Sequence, residues 1–191
     1  RRVWSDEDTV VAVTRKPWEL HSDFSGPVVL VEKPDLVVAT DASLYDRAGL
    51  TRALAEAGVT PDGFSPTELV EAAYRAWGTA LAEHLVGDYA FVIWDRRLRR
   101  LVAARDPLGM RALYWASLGD RVAVASSSRA LAELTGRGAQ LNLASLGAQV
   151  PGGGRGGGRG GWYRGGGGGG GGLASWQGAG VALASGLGAG G

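Results

Sequence analysis

Nineteen carboxylates, twenty basic side chains, two histidines and no cysteine make up the chemical equipment of this 191-residue chain. Without cysteine it holds no disulfide, no thiolate metal site and no sulfur nucleophile. His84 follows Glu83 in a helical stretch and reads as a solvated residue, while His21 precedes Ser22-Asp23. Two isolated imidazoles do not supply the clustered ligands that zinc needs. Ser65-Pro66-Thr67-Glu68 sets a carboxylate three residues after a serine, the spacing of a helix capping box rather than of an acid–base pair. Arg105-Asp106 precedes a Pro-containing turn and reads as a pair or a turn cap. The glycine-rich end lacks the strand, the helix and the lysine of a phosphate loop. On their own, these residues offer no catalytic group and no metal site.

The elements that carry them are legible from periodicity. Thr9–Val13, Pro27–Glu32 and Asp35–Asp41 are β-branched runs, the last two joined at Lys33-Pro34 as a hairpin. Spacing then turns helical: Leu50, Ala53, Leu54 and Ala57 share a face that ends at Gly58. A second helix starts at Ser65, with Pro66 at its first position and Glu68 closing the capping box. Leu69, Ala73, Ala76 and Trp77 line one side of it and Gly78 ends it; a short helix over Thr79–Val86 follows. In "DYAFVIWD" both alternating sets are apolar, so both faces of that strand are expected to be covered. "RRLVAARD" returns after a turn at Asp95-Arg96-Arg97, and "MRALYWA" follows the turn Asp106–Gly109 as the third strand of a meander. Arg121–Ser127 is a fourth strand, "SRALAELTG" a helix, and "NLASLGAQV" a short one. Strands covered by helices on two sides predict layers of helix, sheet, sheet and helix.

Residues 1–150 read as one globular domain. In 151–191 the composition changes: 22 of the 33 glycines fall there, and no Asp or Glu follows Glu133. Such a stretch buries too little apolar surface to offset its ordering entropy. It reads as a linker, or as a partly unassigned trace in which glycine stands for other residues. An Arg-Gly RNA-binding tail is the third reading, but Arg155, Arg159 and Arg164 are too few for strong counterion release. With a net charge of +1, nucleic acid is not an expected partner. No apolar run reaches the roughly 18 residues of a membrane span, and no signal-peptide pattern occurs, so a cytoplasmic location is expected.

The run "GDYAFVIWD…RRLVAARDPLGMRALYW" resembles the glutaminase-type domain of class II amidotransferases, as found at the N-terminus of asparagine synthetase. That family runs L-x-G-x-F-A-F-x-I-W-D … L-x-L-A-R-D-x-x-G-x-K-P-L-Y-Y. Gly87, Ala90, Phe91, Ile93, Trp94, Asp95, Ala104, Arg105, Asp106, Gly109, Leu113 and Tyr114 match it, with Arg111 for lysine. "TELVEAAYRAWG" and "VAVASSSRAL" resemble the helix before and the segment after, so the likeness covers residues 28–150. It implies the N-terminal-nucleophile hydrolase fold: α+β, a four-layer αββα sandwich of two antiparallel sheets between helices.

In active members the nucleophile is an N-terminal cysteine; this chain has none and begins Arg1-Arg2. The family's oxyanion loop, N-G-E-I-Y-N, aligns with Asp41-Ala42-Ser43-Leu44-Tyr45-Asp46. A carboxylate at Asp41 stands where negative charge develops, and even losing one oxyanion donor costs about 3–4 kcal/mol. Pro66 stands where the family's S-D-x-E motif carries the acid for the substrate ammonium. The family's H-R-G-P-D segment has no match, His21 being the one histidine nearby. The resemblance therefore implies a catalytically silent domain with no catalytic residue. Its vacated pocket positions, Asp41, Ala42, Ser43 and Pro66, would serve as a docking surface. Trp94, Asp95, Arg105, Asp106 and Gly109 would hold the sandwich together.

Silent domains of this kind occur in β-lactam synthetases and lasso-peptide cyclases, and the wording here is closest to the cyclases. Their synthetase half activates a carboxylate as an acyl-adenylate with ATP and Mg²⁺, and an amine of the same substrate closes a lactam or macrolactam ring. Its S-G-G-x-D-S loop is not in these residues, so no cofactor is expected in this segment and ATP and Mg²⁺ belong to a synthetase domain outside it. Expected partners are that domain, a precursor peptide and biosynthetic partner proteins. Two other readings stay open: a stand-alone binding module, and an active amidotransferase whose cysteine lies outside this sequence.

Overall fold

The computed structural model describes residues 1–21, 26–118, 121–135, 172–177 and 180–184. Its strands are β1 (Arg2–Ser5), β2 (Thr9–Val13), β3 (Leu30–Glu32), β4 (Leu36–Leu44), β5 (Gly87–Asp95), β6 (Arg100–Arg105), β7 (Tyr114–Leu118), β8 (Arg121–Ala125), β9 (Gly172–Gln177) and β10 (Gly180–Ala184). The helices are α1 (Arg47–Glu56), α2 (Pro66–Trp77) and α3 (Ser128–Thr135). One sheet has the order β3-β4-β5-β6-β9, the other β1-β2-β10-β8-β7.

Side-chain alternation along β4 and β5 divides the core into two layers. Leu36, Val38, Ala42 and Leu44 of β4, with Tyr89, Phe91 and Ile93 of β5, pack on Leu50 and Leu54 of α1 and on Leu69, Val70 and Ala73 of α2. The opposite set, Val37, Ala39, Val92 and Trp94, packs on Val11, Val13, Val122 and Val124 of the other sheet. Both faces of the central strand are thus buried, as its two apolar sets require. Burying each such side chain is worth about 1.5–3 kcal/mol. Helix α3 lies against β8, β7 and β10 on the far side. The α+β architecture of helix, sheet, sheet and helix follows directly.

Several elements differ from their expected form. The strand expected over Pro27–Glu32 is regular only from Leu30, because the Val28 carbonyl accepts a bond from Thr67 Oγ1 at 2.5 Å. The short helix after α2 is a 3-10 helix over Gly78–His84, with His84 exposed and stacked on Trp77 at 3.8 Å. The meander is not one: β7 leaves β5 and β6 and pairs with β8 in the other sheet. Nor are both sheets wholly antiparallel, since β10 runs parallel to β2 and to β8. No strand was expected after residue 150, yet β9 and β10 arise within the glycine-rich stretch and join one sheet each. The helix expected at 142–150 lies outside the described residues. Among the described residues no helix is long and apolar enough to cross a membrane.

Candidate functional site

The site lies along β4, where the alternation that builds the core places successive residues on opposite sides. Asp41 follows Val37 and Ala39 on the face between the sheets. Ala42 is fully buried in the layer that faces the helices. Asp41 Oδ1 lies 3.5 Å from Arg15 Nη2 and 3.5 Å from Arg111 Nη1. Arg111 also donates from Nη2 to Ser43 Oγ at 3.1 Å. Arg15, just past the end of β2, donates to the Thr40 carbonyl at 2.7 Å, and its side chain is 8% exposed. Asp41 and Ser43 are therefore brought together through Arg111, while Ala42 points away from them.

Between the sheets, beside this cluster, is a cavity of about 50 Å³. Arg15, Asp41, Ala39, Leu113, Val124 and Ser126 are among the residues that line it. That is room for a few water molecules, well short of the roughly 300 Å³ at which ligand pockets begin.

Arg111 is aimed by Asp106. This buried carboxylate accepts from the Met110 N–H at 2.9 Å and the Arg111 N–H at 3.0 Å, folding the loop after β6 back on itself. Its own N–H bonds Tyr89 O at 2.8 Å and its carbonyl accepts from Gly109 N at 3.0 Å. Burial pushes the Asp106 carboxyl up, but the backbone N–H groups around it prevail and hold it below the ordinary value. Gly109, with φ of +70°, makes the turn, and the Arg105 guanidinium lies over it: a Cβ there would stand 3.1 Å from the guanidinium carbon. Burial lowers the Arg105 pKa.

Pro66 occupies the first turn of α2, at the capping box of Ser65 and Glu68. The contact between that helix start and β4 is made by the next residue. Thr67 Oγ1 and Thr40 Oγ1 are 2.6 Å apart and both side chains are buried. Trp94 fills the space between the sheets and donates from Nε1 to Asp6 at 3.3 Å. Asp95 holds the β5–β6 turn, accepting from the Leu98 N–H at 2.8 Å and from Tyr74 Oη at 3.0 Å. Arg15, Thr40 and Thr67 were missed in the sequence; the one trace of Arg15 is a cation placed directly after an apolar strand.

Comparison with known proteins identifies the family. A family model described as a glutamine amidotransferase domain matches residues 21–133. The chain belongs to the glutamine amidotransferase domain family. Asparagine synthetases are among the curated proteins to which it is similar. It is 34% identical over 91 residues to asparagine synthetase [glutamine-hydrolyzing] 1 of Bacillus subtilis, covering 48% of this chain and 14% of that protein. It is 40% identical over 67 residues to a putative asparagine synthetase [glutamine-hydrolyzing] of Mycobacterium bovis, covering 35% and 10%. Amidase chry2 of Gibberella zeae is 39% identical over 64 residues, covering 34% and 10%. The chain thus matches only about a tenth to a seventh of these relatives' lengths. Among solved structures, glutamine phosphoribosylpyrophosphate amidotransferase of Bacillus subtilis aligns over 47% of this chain and 21% of that one, at 23% identity and a TM-score of 0.38.

Among the described residues, no group of three His, Asp or Glu side chains could hold a metal ion.

Proposed function

We propose that this amidotransferase domain is catalytically silent and serves as the scaffold half of an ATP-dependent, amide-forming ligase of the asparagine synthetase type. The observation that supports this is the Asp41 carboxylate, seated between Arg15 and Arg111 at the position that the resemblance aligns with the family's oxyanion donor. A carboxylate there has no hydrogen to donate to a developing oxyanion. Pro66, where the resemblance expects an acid for the substrate ammonium, gives none.

The finer reading is a ring-closing ligase of the lasso-peptide cyclase type, acting in the cytoplasm on a carboxylate activated as an acyl-adenylate. ATP and Mg²⁺ would bind a synthetase domain outside this sequence. The domain described here would pack on that domain and present a face to a precursor peptide and partner proteins.

The complete polypeptide, incubated with L-glutamine in a coupled ammonia assay, is expected to release none. Ammonia release would refute the silent reading. The same protein with ATP and linear substrates bearing a reactive carboxylate is expected to release AMP; if every such substrate leaves ATP intact, the ligase assignment fails.

A further inference from the structure

We propose that Arg15 and Arg111 form a two-pronged carboxylate-binding site that the chain fills with its own Asp41, so that the pocket is shut to unattached carboxylates. The inference rests on the silent-pocket reading and gives it a physical cause.

Two guanidinium groups from distant parts of the chain meet at one oxygen, each 3.5 Å from Asp41 Oδ1. Neither would sit beside the other without an anion between them, least of all Arg15, whose side chain is 8% exposed. Both are fixed by other bonds: Arg15 to the Thr40 carbonyl, Arg111 to Ser43 Oγ and through its backbone to Asp106. Each prong thus has a second anchor besides Asp41, and an anion between them completes the site.

They also retain unused donor capacity. The Nε atoms of Arg15 and Arg111 are buried without an acceptor. The 3.5 Å separations exceed the roughly 2.7–2.9 Å of a close charge-assisted bond. The Asp41 carboxylate, tethered to β4, lies at ion-pair distance from both prongs. An untethered one of formate or acetate size could close on them, and the adjoining cavity of about 50 Å³ admits nothing much larger. Removing the Asp41 carboxylate should thus convert a filled site into an open one.

The test is rescue by a small anion. The wild-type chain and the variants Asp41→Ala and Asp41→Ser are melted in rising sodium formate and, separately, in sodium chloride at matched ionic strength. The wild type should respond equally to both salts. Each variant should melt lower and gain about 3–5 °C in formate at ten times its dissociation constant, beyond any gain in chloride. Adding Arg111→Ala to Asp41→Ala should abolish that selective gain. A variant that folds only when formate is present supports the proposal equally. It is overturned if neither variant distinguishes formate from chloride, or if the wild type gains as much from formate as they do. Ammonia release by the complete polypeptide would sink the silent reading but would not alter the formate result, so the two failures are separable.

Discussion

At the scale of single residues, Asp106 has the widest reach. Its carboxylate bonds two consecutive backbone N–H groups, and the loop it closes delivers Arg111 to Ser43 and Asp41. Asp106→Asn keeps the shape but turns a donor toward one of those N–H groups. The expected loss is about 2–3 kcal/mol, read from denaturant unfolding. The folded carboxyl titrates below its ordinary value of 3.8. Its contribution is therefore fully present above that value and is lost as pH falls through the lower, folded one. The wild type should lose this increment on acidification while Asp106→Asn, measured over the same pH range, loses less. An identical acid response in both proteins would count against this assignment. Asp106 could be picked out beforehand because an Asp before a Pro-containing turn is a local signal. Arg15 could not: nothing next to it in sequence says that Asp41, on another strand, would meet it.

At the scale of elements, α2 and β5 were the most legible. Capping box, N1 proline and terminal glycine all agree for α2, and the structure shows each of them. For β5, two apolar faces matched two covered faces. The sequence also holds a constraint at the start of β5 that only the pairing explains. Gly87 has φ of +150°, and a Cβ there would stand 2.3 Å from the Ser43 carbonyl oxygen. Gly87 is paired with Leu44, so the clash falls on backbone, which cannot swing aside. Gly87→Ala should cost more than about 3 kcal/mol, in the range of the most damaging single substitutions, and should loosen the end of β4 that carries Ser43. Thermal unfolding gives the first effect, and amide exchange at residues 41–45 gives the second. A fully stable Gly87→Ala protein would show that the β4–β5 register ends earlier than Leu44.

At the scale of the whole molecule, the decisive strand is the one composition hid. The hairpin β1–β2 and the hairpin β7–β8 belong to one sheet only because β10 pairs with both β2 and β8. Strand β9 likewise covers the edge of β6 through six paired residues. A chain ending at residue 171 should lose its cooperative unfolding transition and expose apolar surface, seen as a broadened melt with dye binding. A sharp, unshifted melt would show that β9 and β10 are dispensable. By itself, the sequence determined the alternation of β4 and β5, the caps of α2, the stacking of two sheets between helices and the family to which the domain belongs, because these depend on periods and neighbours a few residues apart. Only the tertiary structure decided that β7 changes sheets, that glycine-rich strands complete both sheets, and that Arg15 and Arg111 converge on Asp41. Those outcomes depend on which distant backbones share hydrogen bonds and which distant charges must neutralise one another, and neither leaves a local pattern in the chain.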